Sequence, residues 1–373
     1  MRSFDVIVGF LGNCNYDTRS RNLLESLKGL GLRARFFGFD WLTPDFERFD
    51  DGVALVRRLK KRRPTILFYA AFFLKLTCSL LRRKARIYVA SDFYALPSAA
   101  IAATLRRGKL HYDCRDFASE TPALEGRRFV KRLIDATERF FINRADVVFA
   151  AGEMDVEFLR DRYGVEATRL LNLPQYRETF APVDFPAELG LPEPTRVLLY
   201  QGIVVKGRGI ERGMDVVERL EDVVFVALGG GEDLDHFRER ARERGLEDRV
   251  FFYGKIPQEE LGDHTAGAFA GLSLIEDAGV NNYYALPNKL FEYAMAGVPA
   301  LVSDLPQMRK VVEEREIGAV VEAGNVDAVV ETLCRWRDRP EEYERLRANC
   351  RRAAEELNWE REFARVRELF VEK

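Results

Sequence analysis

Apolar and polar positions along the chain alternate between short β-type runs and longer helical patterns, in regular order over most of its length. Residues 4–8 read as a buried strand, 9–13 as a glycine-containing loop, 20–30 as a helix ended by Gly31, and 33–39 as a second strand. Strand, tight loop and helix in that order open a Rossmann-like half. Further strands are predicted at 87–90, 109–112 and 146–150, with helices at 98–105 and up to Arg144 between them. The strand at 109–112 delivers Asp113, Arg115 and Asp116 at its C-terminal end, where open α/β sheets place their ligands.

Pro174, Pro182, Pro186, Pro192 and Pro194 then crowd a stretch with little periodicity, which reads as a connection between domains. Beyond it the pattern restarts. Strands are predicted at 196–200, 223–228, 250–253, 272–275, 300–303 and 319–321, with loops at 201–209 and Gly229–Gly231 and helices between. The last helix, 359–371, is amphipathic.

One helix in this second half carries more chemistry than its neighbours. In the run 286–299, Pro287 marks a helix start and Gly297 and Pro299 mark its end. Leu290, Phe291, Ala294 and Met295 form one apolar stripe, while Lys289 and Glu292 share another face three residues apart. A helix start offers unpaired backbone N–H groups and the positive end of the dipole, a ready site for phosphate. The same two residues equally describe a solvated ion pair on an ordinary amphipathic helix.

Residues 66–81 are nearly all apolar apart from Lys75, Thr77 and Ser79. Arg57, Arg58, Lys60, Lys61, Arg62 and Arg63 precede them, and Arg82, Arg83, Lys84 and Arg86 follow. As a helix this run spans roughly 24 Å, short of the ~30 Å hydrocarbon core. Two readings remain: a largely buried helix with solvated basic ends, or a helix lying on an anionic membrane surface, with peripheral contact through the region 57–86.

Composition narrows the function classes. With 373 residues, 47% hydrophobic and 32% charged, the chain fits two globular domains. Its 58 basic and 60 acidic residues give a net charge of −2, so a global nucleic-acid footprint is absent. The 5 cysteines lack C-x-x-C spacing and the 3 histidines lack metal-ligand spacing, so no metal site, disulfide framework or cofactor is expected, and the compartment is expected to be cytoplasmic.

Six stretches make the assignment specific: ERFFINRADVVFAAGE around Glu138, LLNLP at Asn172, YQGIVVKGRGIE from Tyr200, ALGGGEDL from Ala227, RVFFYGKI from Arg249 and LPNKLFEYAMAGVPALVSD from Leu286. In this order they resemble the nucleotide-sugar-dependent glycosyltransferases of the GT-B fold, most closely glycosyltransferase family 4 (group 1). The resemblance implies an α/β protein with two Rossmann-like domains facing across a cleft: residues 1–180 on the acceptor side, 181–355 on the donor side, and a C-terminal helix, 356–373, returning to the N-terminal domain.

It also implies roles for particular residues. Arg208 and Lys289 would neutralise the donor diphosphate during catalysis, Arg208 standing where the family usually has a lysine. Asn288 and Lys289 lie at the helix start, Glu292 would accept hydrogen bonds from the ribose hydroxyls, and Gly254, Lys255 and Ile256 border the base. Gly12 faces the diphosphate from the N-terminal loop. The chain departs from the family pattern at Tyr284, where a first sugar-contacting glutamate is usual, so that contact is lost or passes to Glu276 or Asp277. Ile203 replaces a phosphate-binding arginine, and Arg115 stands nearest to a family histidine facing the sugar.

The implied function is retaining, metal-independent transfer of a hexose from a UDP- or GDP-linked sugar to a glycan or lipid-linked acceptor, at the inner face of the membrane if peripheral. A nucleotide-sugar epimerase would need acid–base groups at the sugar that suitably placed histidines do not supply. An inactive sugar-nucleotide-binding scaffold would fit the replacement at Tyr284.

Overall fold

The computed structural model describes residues 3–41, 48–60, 65–121 and 124–371. Lys61, Arg62 and Arg63 of the basic run lie outside the described residues. The chain forms two compact units, one comprising Met1–Asn172 and Trp359–Lys373, the other Leu173–Asn358.

The first unit is built on strands β1 (Ser3–Phe10), β2 (Ala34–Asp40), β3 (Arg48–Asp50), β4 (Ala54–Arg58), β5 (Lys84–Ser91), β6 (Lys109–Cys114), β7 (Val147–Ala150) and β8 (Thr168–Arg169). Helices α1 (Thr18–Gly29), α2 (Thr65–Leu81), α3 (Leu96–Arg106), α4 (Arg128–Ile142) and α5 (Glu153–Tyr163) alternate with them. The sheet order is β3-β4-β2-β1-β5-β6-β7-β8, with all described pairs parallel except β3 with β4.

Side chains leave the strands alternately, so the sheet has two covered faces. Val6, Val8, Phe36, Ile87, Val89 and Phe149 pack with Leu23, Leu24 and Leu27 of α1 and with Trp359 and Phe370 from the chain's end. On the opposite face Phe39 meets Phe72 of α2 edge-on, and the hydroxyl of Tyr112 donates to Glu138 of α4 at 2.6 Å. Helices α2, α3 and α4 pack side by side on that face. His111 is a core residue: its ring meets Phe149 edge-on and Phe370 at a tilt, and burial lowers its pKa to about 4, so the ring is neutral.

The largely buried reading of the run 66–81 is corrected. The buried residues of α2 are the stripe Phe68, Phe72, Leu76 and Leu80 with Ser79 beside it, while Ile66, Leu67 and Leu74 are exposed. A helix packed on a sheet has one inward face, and among the described residues the side chains of Ile66, Leu67 and Leu74 on the other face stay exposed.

The second unit begins with α6 (Phe185–Leu189) and continues through β9 (Arg196–Gln201), α7 (Ile210–Val217), β10 (Val223–Leu228), α8 (Leu234–Glu243) and β11 (Val250–Gly254). After α9 (Gln258–Ala266) come β12 (Ala270–Ser273), α10 (Val280–Tyr283), α11 (Asn288–Met295), β13 (Ala300–Ser303), α12 (Pro306–Arg315), β14 (Gly318–Val321), α13 (Val326–Asp338) and α14 (Pro340–Glu356). The strands pair in parallel in the order β11-β10-β9-β12-β13-β14. The proline-rich stretch is no free connector: Phe185 is fully buried, and Asp263 accepts from Arg177 at 2.7 Å and from the Ala181 N–H at 2.8 Å.

Two cores sandwich this sheet. Leu198, Tyr200, Phe225 and Leu272 pack against Met214, Val217 and Trp336, while Val197, Leu199, Val226 and Val302 pack against Leu290, Tyr293 and Met308. Gly271 lets α11 approach closely, since a Cβ there would stand 2.4 Å from the Tyr293 ring. The Tyr293 hydroxyl then lies 2.9 Å from the Leu199 carbonyl and 3.2 Å from that of Leu272. That contact fixes α11 over the point where the strand order reverses, between β9 and β12.

After α14 the chain rejoins the first unit through α15 (Trp359–Ala364) and α16 (Glu368–Val371). The single helix expected over 359–371 is thus two short ones. Trp359 Nε1 donates to Ser26 of α1 at 2.8 Å, and the Leu171 N–H donates to Glu362 at 2.8 Å.

Candidate functional site

The C-terminal edge of the second unit's sheet is made of three glycine-bearing loops following β9, β10 and β11. They are tied in sequence by backbone hydrogen bonds: Gly202 N–H to the Leu228 carbonyl at 2.9 Å, Val204 N–H to Gly230 at 3.1 Å, and Gly229 N–H to Gly254 at 2.7 Å. Gly229 has φ +134°, and a Cβ on it would lie 1.9 Å from the Gly202 carbonyl oxygen, so no larger residue fits. The loop after β12 joins the same edge through the Glu276 N–H, which donates to the Gly207 carbonyl at 3.0 Å.

Onto this edge α11 presents its first turn. Pro287 caps it in an extended conformation and offers no side-chain cap hydrogen bond to the N–H groups there. Lys289 is only 9% exposed, and its Nζ lies 3.6 Å from the centroid of the Tyr200 ring. The solvated ion-pair alternative therefore does not describe it. Burial, reinforced by the nearby positive charge of Arg208 and partly opposed by Glu292, pushes the lysine pKa well below its ordinary value.

Glu292, one turn on, accepts a hydrogen bond from Gln201 Nε2 at the end of β9. Gln201 is buried, and its Oε1 accepts from Thr265 Oγ1 of α9 at 2.9 Å. The amide is thereby oriented with its N–H₂ toward the carboxylate. Burial raises the Glu292 pKa, against the opposing effects of that hydrogen bond and of Lys289.

Arg208 extends from the β9 loop, half-buried, and makes no hydrogen bond or ion pair among the described residues. Such a cation beside an ammonium that burial disfavours forms a local positive potential that Glu292 only partly offsets.

The structure thus brings Arg208, Lys289, Glu292 and Asn288 to one edge. Gly254 belongs to the same tied set of loops, and Lys255 and Ile256 follow directly. Glu276 is exposed, with a carboxylate oxygen 3.6 Å from where a Cβ on Gly207 would lie; Asp277 is exposed beside it. The Tyr284 carbonyl accepts from Gln307 Nε2, and Ile203 is exposed. Sequence reasoning passed over Tyr200, Gln201 and Thr265. The one signal for Gln201 is its place as the last residue of a central strand.

Two family models match the chain: "Glycosyl transferases group 1" over residues 184–353 and "Glycosyl transferase 4-like domain" over residues 16–175. The chain belongs to the group 1 glycosyltransferases of family 4. Among solved structures, this glycosyltransferase is similar to sucrose-phosphate synthase from Thermosynechococcus elongatus, with a TM-score of 0.79 and 17% identity over 99% of this chain and 98% of that one. It is also similar to Anabaena HepE in complex with UDP and glucose, with a TM-score of 0.76 and 14% identity over 99% and 100% of the two chains. These similarities establish the GT-B fold. A curated relative from Mycobacterium tuberculosis, a GDP-mannose-dependent alpha-(1-6)-phosphatidylinositol monomannoside mannosyltransferase, is 28% identical over 144 residues. That match spans 38% of this chain and 37% of the relative's length.

In the first unit of this glycosyltransferase, Arg115 is held by several partners. Its Nη1 donates to both Asp17 oxygens at 2.8 Å, its Nε to Asp113 at 3.0 Å and its Nη2 to Ser20 at 3.1 Å, with the guanidinium 4.8 Å from the Phe10 centroid. Asp113 also accepts from the buried Arg19 at 3.0 Å. Burial alone would raise the Asp113 pKa, but Arg19 and then Arg115 hold it below the usual value. Gly12 lies in the loop after β1, where a Cβ would run into the Phe10 ring at 2.3 Å.

Asp92 follows β5 with φ +76°, an uncommon conformation for a residue other than glycine. Its carboxylate accepts from the Phe93 N–H at 2.6 Å. Burial and then the charge of Asp116 bring its pKa up to about 7.

Proposed function

We propose that the protein transfers a hexose from a UDP- or GDP-linked sugar to a glycan or lipid-linked acceptor, with retention of configuration and without a metal ion. The observation that carries this reading is the buried Lys289 at the open start of α11, with the unpaired Arg208 beside it. A diphosphate seated there meets two cations and a row of backbone N–H groups.

The chemistry follows from that arrangement. Charge develops on the diphosphate as the glycosidic bond breaks, and Arg208, Lys289 and the α11 amides would receive it. Two side-chain cations and a helix start take the role that a divalent ion would otherwise fill. Glu292, oriented by Gln201, is a hydrogen-bond acceptor suited to ribose hydroxyls, and Gly254, Lys255 and Ile256 would border the base. Attack by the acceptor hydroxyl on the leaving-group face gives retention without a protein nucleophile. Glu276 and Asp277 would contact the sugar.

Support for the donor comes from the named relatives, one GDP-mannose-dependent and one bound to UDP. A lipid-linked acceptor would draw the protein to the cytoplasmic face of a membrane as a peripheral protein, with the region 57–86 in contact. No helix among the described residues is long and apolar enough to cross one.

A second reading, an inactive nucleotide-sugar-binding scaffold, is favoured by Tyr284, which brings no carboxylate to the position where the family has its first glutamate. A panel of UDP- and GDP-sugars separates the two. Release of UDP or GDP from a donor supports transfer, whereas tight binding with no release in any acceptor mixture supports the scaffold.

A further inference from the structure

Helix α4, which no part of the donor chemistry uses, has an unusual outer face. Phe129, Leu133 and Phe140 are 80%, 58% and 52% exposed. With Ala136 they recur at i, i+4, i+7 and i+11, so they form one straight apolar row along a helix of 15 residues, about 22 Å long. An exposed row of this kind on an amphipathic helix marks a binding surface.

The charges beside the row identify what it fits. Arg128, Arg132 and Arg139 occupy the adjoining stripe, and the Arg144 guanidinium lies 3.6 Å from the Phe140 ring centroid. Arg127, Arg128 and Arg132 are exposed and have no side-chain partner among the described residues. The helix's own carboxylates point the other way. Asp135 accepts from Arg162 at 2.6 Å and from Tyr163 at 3.0 Å, and Glu138 is buried between Tyr112 and Tyr163. Of the neighbouring acids, Glu120 pairs with Lys131 and Arg162, while Glu125 and Asp146 stand exposed in the flanking loops.

A chain of net charge −2 therefore presents here a face of aromatic and aliphatic side chains with arginines along one edge and no acidic residue of the helix on it. That is the pattern of a helix lying in the interface of an anionic bilayer: rings at the acyl boundary, guanidinium groups among the phosphates. The layer continues the theme. Helix α2 leads with exposed Ile66 and Leu67, and both α2 and α4 return antiparallel to parallel strands, which puts their first turns at the same edge of the sheet.

We propose that the outer face of α4 is a docking surface for anionic lipid bilayers. This extends the membrane reading to a helix outside 57–86, and its test reads binding rather than transfer. The full-length protein is floated with phosphatidylcholine vesicles containing about 30% phosphatidylglycerol, and with phosphatidylcholine alone. Wild type rises with the anionic vesicles only, and is released as salt goes from about 0.05 to about 0.5 M.

The triple variant Phe129→Ser, Leu133→Ser, Phe140→Ser alters exposed side chains only, so it keeps its Tm and its nucleotide binding but loses about ten-fold or more of its vesicle binding. Arg128→Gln with Arg132→Gln weakens binding and flattens its salt dependence. Failure of wild type to float overturns the proposal, as does equal flotation of the triple variant. A wild-type dimer in light scattering that the triple variant abolishes, without vesicle binding, would assign the face to a second copy instead and equally overturn it.

Discussion

The Lys289 ammonium lies 3.6 Å from the centre of the Tyr200 ring, at the open start of α11 and beside Arg208. A ring face attracts a cation, yet burial and a like charge both disfavour it. A bound diphosphate reverses that balance. Donor binding is therefore expected to raise the Lys289 pKa and draw a proton from solution. Calorimetry of UDP or GDP binding in buffers of different ionisation enthalpy measures this as net proton uptake, which grows as pH rises toward the lysine's free-protein pKa. Lys289→Met removes the uptake.

Arg208 makes no internal hydrogen bond or ion pair among the described residues, so removing it leaves no buried group stranded. Arg208→Ala is expected to keep its Tm within about 1 °C while turnover falls about 10²–10³-fold, the usual effect of losing one charge-stabilising donor. Arg208→Lys should recover much of the loss. A large fall in Tm for Arg208→Ala would mean that the side chain holds the loop instead.

Asp92 combines a strained backbone with a carboxyl whose pKa is about 7 and stands at the C-terminal end of a central strand. If it receives the acceptor's proton, the rate rises with pH through about 7 as the group ionises. Asp92→Asn is expected to lower the rate and to remove that limb of the pH profile. An unchanged profile would assign Asp92 to loop geometry alone.

The first unit's interior makes a separate test. Arg19 and Asp113 are both buried and hydrogen-bonded to each other. Arg19→Met strips a buried carboxylate of one cation and is expected to cost about 3–5 kcal/mol of stability, read by urea unfolding. Asp113 has a lowered folded-state pKa, so the stability it contributes is present above its ordinary pKa near 3.8 and is lost as pH falls through the folded value. The variant's acid unfolding should begin at higher pH than that of wild type.

Much of this architecture was legible because it is periodic. The stripe through Leu290, Phe291, Ala294 and Met295 gave α11, and the apolar strands with their terminal glycines gave both sheets. β3 and β4 escaped notice because they are short and β4 runs into Arg57 and Arg58, which sequence reasoning counted with the basic segment. At the site, the type and spacing of Lys289 and Glu292 were readable, but their environment was not. Glu292 meets Gln201 across 91 positions, and Lys289 lies against the ring of Tyr200, which arrives from strand β9. The exposed row of α4 was equally hidden, since an apolar stripe shows where a helix can bury, and here the sheet takes the other side.

In the proposed function, Arg208, Lys289 and Glu292 hold the diphosphate and ribose of a nucleotide sugar. Titration of UDP and GDP into wild type and into Arg208→Ala, Lys289→Met and Glu292→Gln tests it most directly. Wild type is expected to bind at least one nucleotide saturably and one-to-one. Each variant should weaken it about ten-fold or more, the loss of one charge-assisted contact, with the fold retained. Unchanged affinity in all three folded variants would contradict it.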